Sequence, residues 1–180
     1  MATDENNFCN EQNRVANLKV VSGSSAILHF GDRYLSAVIG KNGVRTDKHE
    51  GDGCTPSGFL PLRRVLYRSD RIDTPSTSLP CQSLTQNDGW CDDITHSDYN
   101  QQIRLPHPAK HEKLWLTNGI YDIIGILGYN DDPVISGKGS AIFLHITMPD
   151  MEPTDGCIAL SLEDLYWVLE QGLEAIFISH

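Results

Sequence analysis

Gly139-Ser140-Ala141-Ile142-Phe143-Leu144-His145, followed after a polar loop by Thr154-Asp155-Gly156-Cys157-Ile158-Ala159-Leu160, is the stretch on which the fold turns. Its apolar run reads as a buried strand over Ser140 to Ile146 that carries a histidine to its end. The connecting residues include Pro149, Asp150, Glu152 and Pro153, too polar and turn-rich for a core, so Cys157 is expected at a surface-accessible loop end. Cysteine is a useful nucleophile only as thiolate and needs a base or positive charge beside it. Single histidines and cysteines are commonly just packed in cores; here both sit at one loop. The pattern makes Cys157 a candidate nucleophile and His145 its candidate base. Glycine before the cysteine allows a tight bend and turns peptide N–H groups toward a developing oxyanion. Asp155, Gly156 and Cys157 are the candidate oxyanion donors. Thr154 either braces the loop or is an ordinary turn residue. Asp155 has a second possible role as the acid that orients the histidine, though its N–H is the better-placed group.

Outward from this stretch the chain reads as many short strands. Asn17 to Val21 is β-rich. Ser25 to Phe30, Gly31-Asp32 and Arg33 to Ile39 form a hairpin pattern. Lys41 to Ser57 reads as a glycine-rich loop, Phe59 to Tyr67 as a strand with Pro61 at an edge or a strand start, and Asp70 to Leu79 as a surface loop. Leu114 to Leu116 and Ile120 to Leu127 read as strand segments. Ser161 is an N-cap, with Asp164 in the capping-box position and Leu162, Leu165, Tyr166 and Leu169 on one apolar face. Gly172 ends that helix, and Glu174 to Ile178 closes the chain as a strand. A helix start near Ser161 would favour a Cys157 thiolate if close enough. The fold class is mainly β: a β-sandwich or open barrel with one or two small helices. Residues 1–16 form a polar extension and 17–180 a single domain, large enough to bury a core.

A net charge of −10 argues against nucleic-acid and anionic-membrane partners. No apolar run reaches the 18 or more residues of a membrane span. Met1 to Arg14 has no basic, apolar or cleavage region of a signal, and Cys9 lacks the apolar stretch of a lipoprotein signal. Five cysteines without framework spacing suit reduced thiols. The expectation is a cytoplasmic protein, or a periplasmic one if a leader has been removed.

The quoted motif resembles the YkuD-type L,D-transpeptidase catalytic domain, whose signature is a strand-end His followed by Ser/Thr-x-Gly-Cys. Asp52-Gly53-Cys54-Thr55-Pro56-Ser57-Gly58-Phe59 is similar to that family's Thr-Pro-x-Gly-x-Phe element. Gly89-Trp90-Cys91-Asp92-Asp93, Tyr99-Asn100, Tyr129-Asn130 and the Gly139 to His145 run resemble a compact bacterial branch. The chain departs from common members at Asp155, at Ala159 and in the short spacing of twelve residues from His145 to Cys157. The resemblance implies the family's fold, a backbone carbonyl rather than an acid as the histidine's second partner, no cofactor, and a muropeptide or peptidoglycan stem peptide as partner. It extends to cytosolic L,D-carboxypeptidases. The expected activity is a cysteine L,D-peptidase releasing D-alanine from tetrapeptide muropeptides in wall recycling. The alternatives are cross-linking or D-amino acid exchange, and a non-catalytic muropeptide-binding module.

Other groups weigh less. Trp90, Tyr99 and Asn130 either line the cleft or pack in core and loops. Arg63, with Arg64, Arg68 and Arg71, either binds peptide carboxylates or forms a solvated face. Cys54, with His49 nearby, is a rival nucleophile without strand-end support. Neither Cys81/Cys91/His96 nor His107-x-x-x-His111 has zinc spacing, and Pro108 opposes a helical histidine pair, so no metal is expected.

Overall fold

Fifteen short elements carry the chain in the computed structural model, which describes residues 14–179. Cys9 and most of the polar extension lie outside the described residues. Alternation builds the first strands: in β1 (Val15–Ser22), β2 (Ser25–Phe30) and β3 (Arg33–Val38) buried Ala16, Leu18, Ala26, Leu28, Phe30, Leu35 and Ala37 alternate with exposed neighbours. Gly31 turns the hairpin at φ +57°, a left-handed position that suits glycine. There follow β4 (Val44–Arg45), β5 (Thr55–Pro56), β6 (Gly58–Tyr67), β7 (Cys81–Ser83), β8 (Asp88–Cys91), β9 (Gln102–Arg104), β10 (His111–Lys113), β11 (Ile123–Leu127), β12 (Phe143–Ile146), β13 (Ile158–Leu160), α1 (Leu162–Glu170) and β14 (Ala175–Ser179).

The main sheet runs β11-β12-β13-β3-β2-β1-β14-β6, and β6 pairs back onto β11, so eight strands close into a barrel with β7 added beside β6. The fold is mainly β with one helix among the described residues, as expected, and its sheet is closed. Closure removes the edges that an open barrel would expose. Leu18, Leu28, Leu144, Ile158 and Leu160 fill the interior, and Leu165, Val168 and Leu169 of α1 join the same core. Burying each large side chain contributes roughly 1.5–3 kcal/mol. A second sheet, β10-β8-β9, adds Trp90 to a separate apolar cluster with Ile124, Phe143 and Cys157.

Four local readings are corrected. Pro61 sits neither at a sheet edge nor at the strand start. It lies where β6 passes from pairing β14 to pairing β11, and its carbonyl accepts the Gly128 N–H at 2.7 Å. Leu114 to Leu116 is not a strand: Leu114 is buried, the Leu116 carbonyl accepts Arg68 Nη1, and the Arg68 guanidinium covers the Trp115 ring at 3.5 Å. Strand β12 begins at Phe143 rather than Ser140, because Ala141 is left-handed at φ +52°. That conformation costs about 1–2 kcal/mol without a glycine. It is held by Asn100, whose Oδ1 accepts the Ala141 N–H at 3.1 Å. In α1 the buried face is Leu165, Val168 and Leu169, while Leu162 is exposed. The Ser161 cap is as expected, accepting the Asp164 N–H at 3.1 Å and donating to its carboxylate at 2.7 Å.

Candidate active site

Parallel pairing of β12 and β13 sets Leu144 against Ile158 and His145 against Ala159. Alternation then points Leu144, Ile158 and Leu160 into the barrel and turns His145, Ala159 and Cys157 to its outer face. His145 and Cys157 are diagonal neighbours on that face. Both line one cleft of about 610 Å³ with Lys48, Glu112, Tyr121, Thr154 and Asp155.

The imidazole is oriented by backbone. Its Nδ1 meets the Ile146 carbonyl at 2.9 Å, which makes Nδ1 the protonated nitrogen and leaves Nε2 as the free base. The Tyr121 ring packs edge-to-face on it at 5.3 Å, and the Tyr121 hydroxyl donates to Glu112 at 2.5 Å. The thiol is held too: Sγ donates to the Ala141 carbonyl at 3.2 Å and accepts the Phe143 N–H at 3.4 Å. The strained carbonyl of Ala141 is thus one wall of the thiol's seat.

Cys157 is not at a surface-accessible loop end. It is 9% exposed, because its side chain shares the apolar cluster of Trp90, Phe143 and Tyr121. Burial, then the Glu112 charge, pushes the thiol up to about 12; the Phe143 N–H and Lys48 oppose this. Burial pushes His145 down to about 4. At neutral pH the pair is therefore thiol and neutral imidazole, not an ion pair. The helix start does not supply the missing stabilisation. Strand β13 separates Cys157 from α1 by roughly 10 Å, beyond the first turn over which a helix end acts.

Thr154 braces the loop, its Oγ1 donating to the Cys157 carbonyl at 2.7 Å and accepting the Gly156 N–H at 3.1 Å. The Asp155 carboxylate is exposed and pairs with Lys41 at 2.6 Å, so it is not the acid behind His145. Thr55 Oγ1, from the Thr-Pro element, donates to the Gly156 carbonyl at 2.9 Å. Gly156 itself is irreplaceable on steric grounds: at φ +141° a Cβ would stand 2.7 Å from the Cys54 carbonyl oxygen. Gly156→Ala is expected to destabilise the protein by roughly 2 kcal/mol or more, read as a lower urea midpoint, and to reduce turnover. A wild-type midpoint would mean the loop can shift to admit the methyl.

The other sequence candidates stand outside the cleft. Trp90 packs on Phe143 and donates to Asn100 Oδ1 at 3.0 Å. Tyr99 is buried, its hydroxyl bonding Glu50 and accepting the Gly139 N–H. Asn130 ties its own loop to Ile135 and Gly139. Arg63 pairs with Asp131, Arg64 with Gln102, Arg68 with Asp70 and Arg71 with Asp122. Cys54 is buried, with Sγ 3.6 Å from the Asn42 and Asp52 carbonyls, while His49 is turned to Asp47. Residues that the sequence reading missed are Lys48, Glu112 and Tyr121, which no local spacing signals and which chain crossings bring to the cleft; Asn100 was read only as part of the family-like Tyr99-Asn100 segment, without a role.

One histidine group was also not foreseen. His96, Asp98 and His107 bring one ligand-type atom each within 4.8 Å, away from the cleft. Both Nδ1 atoms already accept backbone N–H groups, from Asp98 at 3.1 Å and Ala109 at 3.2 Å. His107 Nε2–H then donates to Asp98, so the group is a hydrogen-bonded brace that a metal would have to break.

Among the described residues no helix is long and apolar enough to cross a membrane. A search of curated proteins found no match to the chain. A family model, the YkuD L,D-transpeptidase catalytic domain, matches residues 7–175. With nearly the whole chain covered, a closed barrel beneath the motif, and histidine and cysteine meeting in one cleft, the protein belongs to the L,D-transpeptidase catalytic-domain family of cysteine-dependent enzymes that act on peptidoglycan.

Proposed function

We propose that this enzyme is an L,D-carboxypeptidase with Cys157 as nucleophile and His145 as general base. The observation that carries the reading is the pairing of β12 and β13, which sets the two side chains on one face with Nε2 left free. As substrate binds, Nε2 takes the thiol proton and Sγ attacks the carbonyl of the diamino acid's L-centre. The C–N bond to D-alanine breaks, and His145 returns the proton to the leaving amine. Water, deprotonated by the same nitrogen, then cleaves the thioester. With the Gly156 N–H held by Thr154, the Asp155 and Cys157 N–H groups are the oxyanion donors of first resort, and Gly156 joins if that bond opens.

The hydrolytic reading is supported by the polar lining of the cleft, which includes Glu50, Asp92, Lys110 and Glu152 and leaves it accessible to water. Free thiols, including exposed Cys81, suit a reducing cytoplasm and soluble recycled wall fragments as substrate. The test is a tetrapeptide muropeptide with and without an equal millimolar concentration of a second stem or D-amino acid, followed by mass analysis. Tripeptide plus D-alanine should dominate in both. A dominant cross-linked or exchanged product would make the enzyme a transpeptidase.

A further inference from the structure

Lys48 is a buried charge to which the reaction above assigns no task. Its side chain is 3% exposed and pairs with Asp52 at 2.7 Å. Burying an ion pair commonly costs more than the attraction returns, so stability explains its retention poorly. Asp52 is well supplied with donors, since it also accepts the His49 and Cys54 N–H groups at 2.8 and 2.9 Å. The ammonium has three N–H groups and gives one to Asp52.

The position is specific. Lys48 lines the cleft, its Cε 2.9 Å from where a Cβ on Gly139 would be and its Nζ 3.4 Å from that of Gly156. Gly139 leads to Ala141, whose carbonyl accepts the thiol, and Gly156 directly precedes Cys157. The ammonium therefore lies between the two loops that seat Sγ. Glu112 from β10, Asp155 from the loop, Tyr121 ahead of β11 and His145 from β12 stand around the thiol, and Glu50, Asp92, Lys110 and Glu152 line the same cleft. Among them the Glu112 and Asp155 carboxylates oppose a thiolate at Cys157, and Lys48 favours it.

We propose that Lys48, clamped by Asp52, is a positioning residue that supplies the positive charge against which the Cys157 thiolate and the acyl oxyanion form. This rests on Cys157 being the nucleophile. The primary readout therefore needs no peptidoglycan: iodoacetamide alkylation of Cys157 against pH, followed by peptide mass because exposed Cys81 also reacts, with stem-peptide kinetics as the second readout. Turnover by Cys157→Ser tests the nucleophile assignment separately.

Lys48→Met combined with Asp52→Asn removes both charges and leaves no orphaned carboxylate. Alkylation of Cys157 near pH 8 should fall about tenfold, its profile should move to higher pH, and kcat should fall with KM little changed. Lys48→Arg should recover part of the rate. An unmoved profile in a double variant that melts like wild type overturns the proposal. So does a raised KM with normal alkylation, which would make Lys48 an anchor for a substrate carboxylate. Should the double variant not fold, Asp52→Asn alone decides: with the counter-charge gone, Cys157 should alkylate faster and at lower pH, and no change overturns the proposal.

Discussion

Exchanging Cys157 for serine lowers acyl transfer by about 10³-fold or more and leaves the fold in place, the activity being measured as D-alanine release from a tetrapeptide stem. The fold survives because a hydroxyl at this position can still donate to the Ala141 carbonyl and accept the Phe143 N–H, the two bonds the thiol makes now. Activity does not, because the seat is built for a soft nucleophile. Burial and the Glu112 carboxylate already resist an anion here, and the more basic serine hydroxyl would meet the same resistance. Its neighbour His145, pushed down to about 4 by burial, is too weak a base to compensate. Cys54→Ser is the control: that thiol is enclosed beside the Asn42 and Asp52 carbonyls and should leave turnover nearly unchanged. Turnover above a tenth of wild type in Cys157→Ser would remove Cys157 from its role.

Elements written in local pattern were legible before the structure. The β2–β3 hairpin follows from alternation and a Gly-Asp turn, and α1 from its Ser161 cap and Gly172 stop, where φ is +83°. That His145 and Cys157 would stand close together was legible because both flank one short loop, and the structure sets them on one face of adjacent strands. What failed depended on distant partners. Cys157 reads as a loop-end residue from its polar neighbours, yet Phe143 and Trp90, from other parts of the chain, close over it. Lys48 and Glu112 look like ordinary surface charges in sequence. They reach the cleft only because the loop before β5 and strand β10 converge on β12. The family-like segments around Trp90, Tyr99 and Asn130 do serve the site at one remove. Trp90 holds Asn100, Asn100 holds Ala141 in its left-handed turn, and the Ala141 carbonyl holds the thiol. Barrel closure was not legible at all, since the pairing of β6 with β11 is set by registry between strands more than fifty residues apart.

Replacing His145 with glutamine should cost roughly 10²–10⁴-fold in kcat/KM, the usual contribution of a positioned general base. It should also change how the protein responds to acid, and that second effect identifies the buried imidazole directly. His145 is held near 4 in the folded protein against 6.5 unfolded, with burial as the main cause and the Ile146 carbonyl bond opposing it. Below 6.5 the unfolded chain takes up a proton that the folded chain refuses. Stability is therefore fully present above about pH 6.5 and is lost as pH falls toward 4, by roughly 3 kcal/mol over that window. Glutamine can keep a donor near the Ile146 carbonyl and has no proton to gain, so the variant should lose this segment of the acid slope. Urea denaturation of both proteins at pH 4.5 and 7 measures it. Wild type should weaken more than the variant on acidification. The enzymatic acid limb should likewise lie below the ordinary histidine range, because the imidazole stays neutral and basic well under pH 6. Equal acid slopes, or an alkylation profile of Cys157 that does not change in the variant, would make His145 a packing residue and move the base elsewhere.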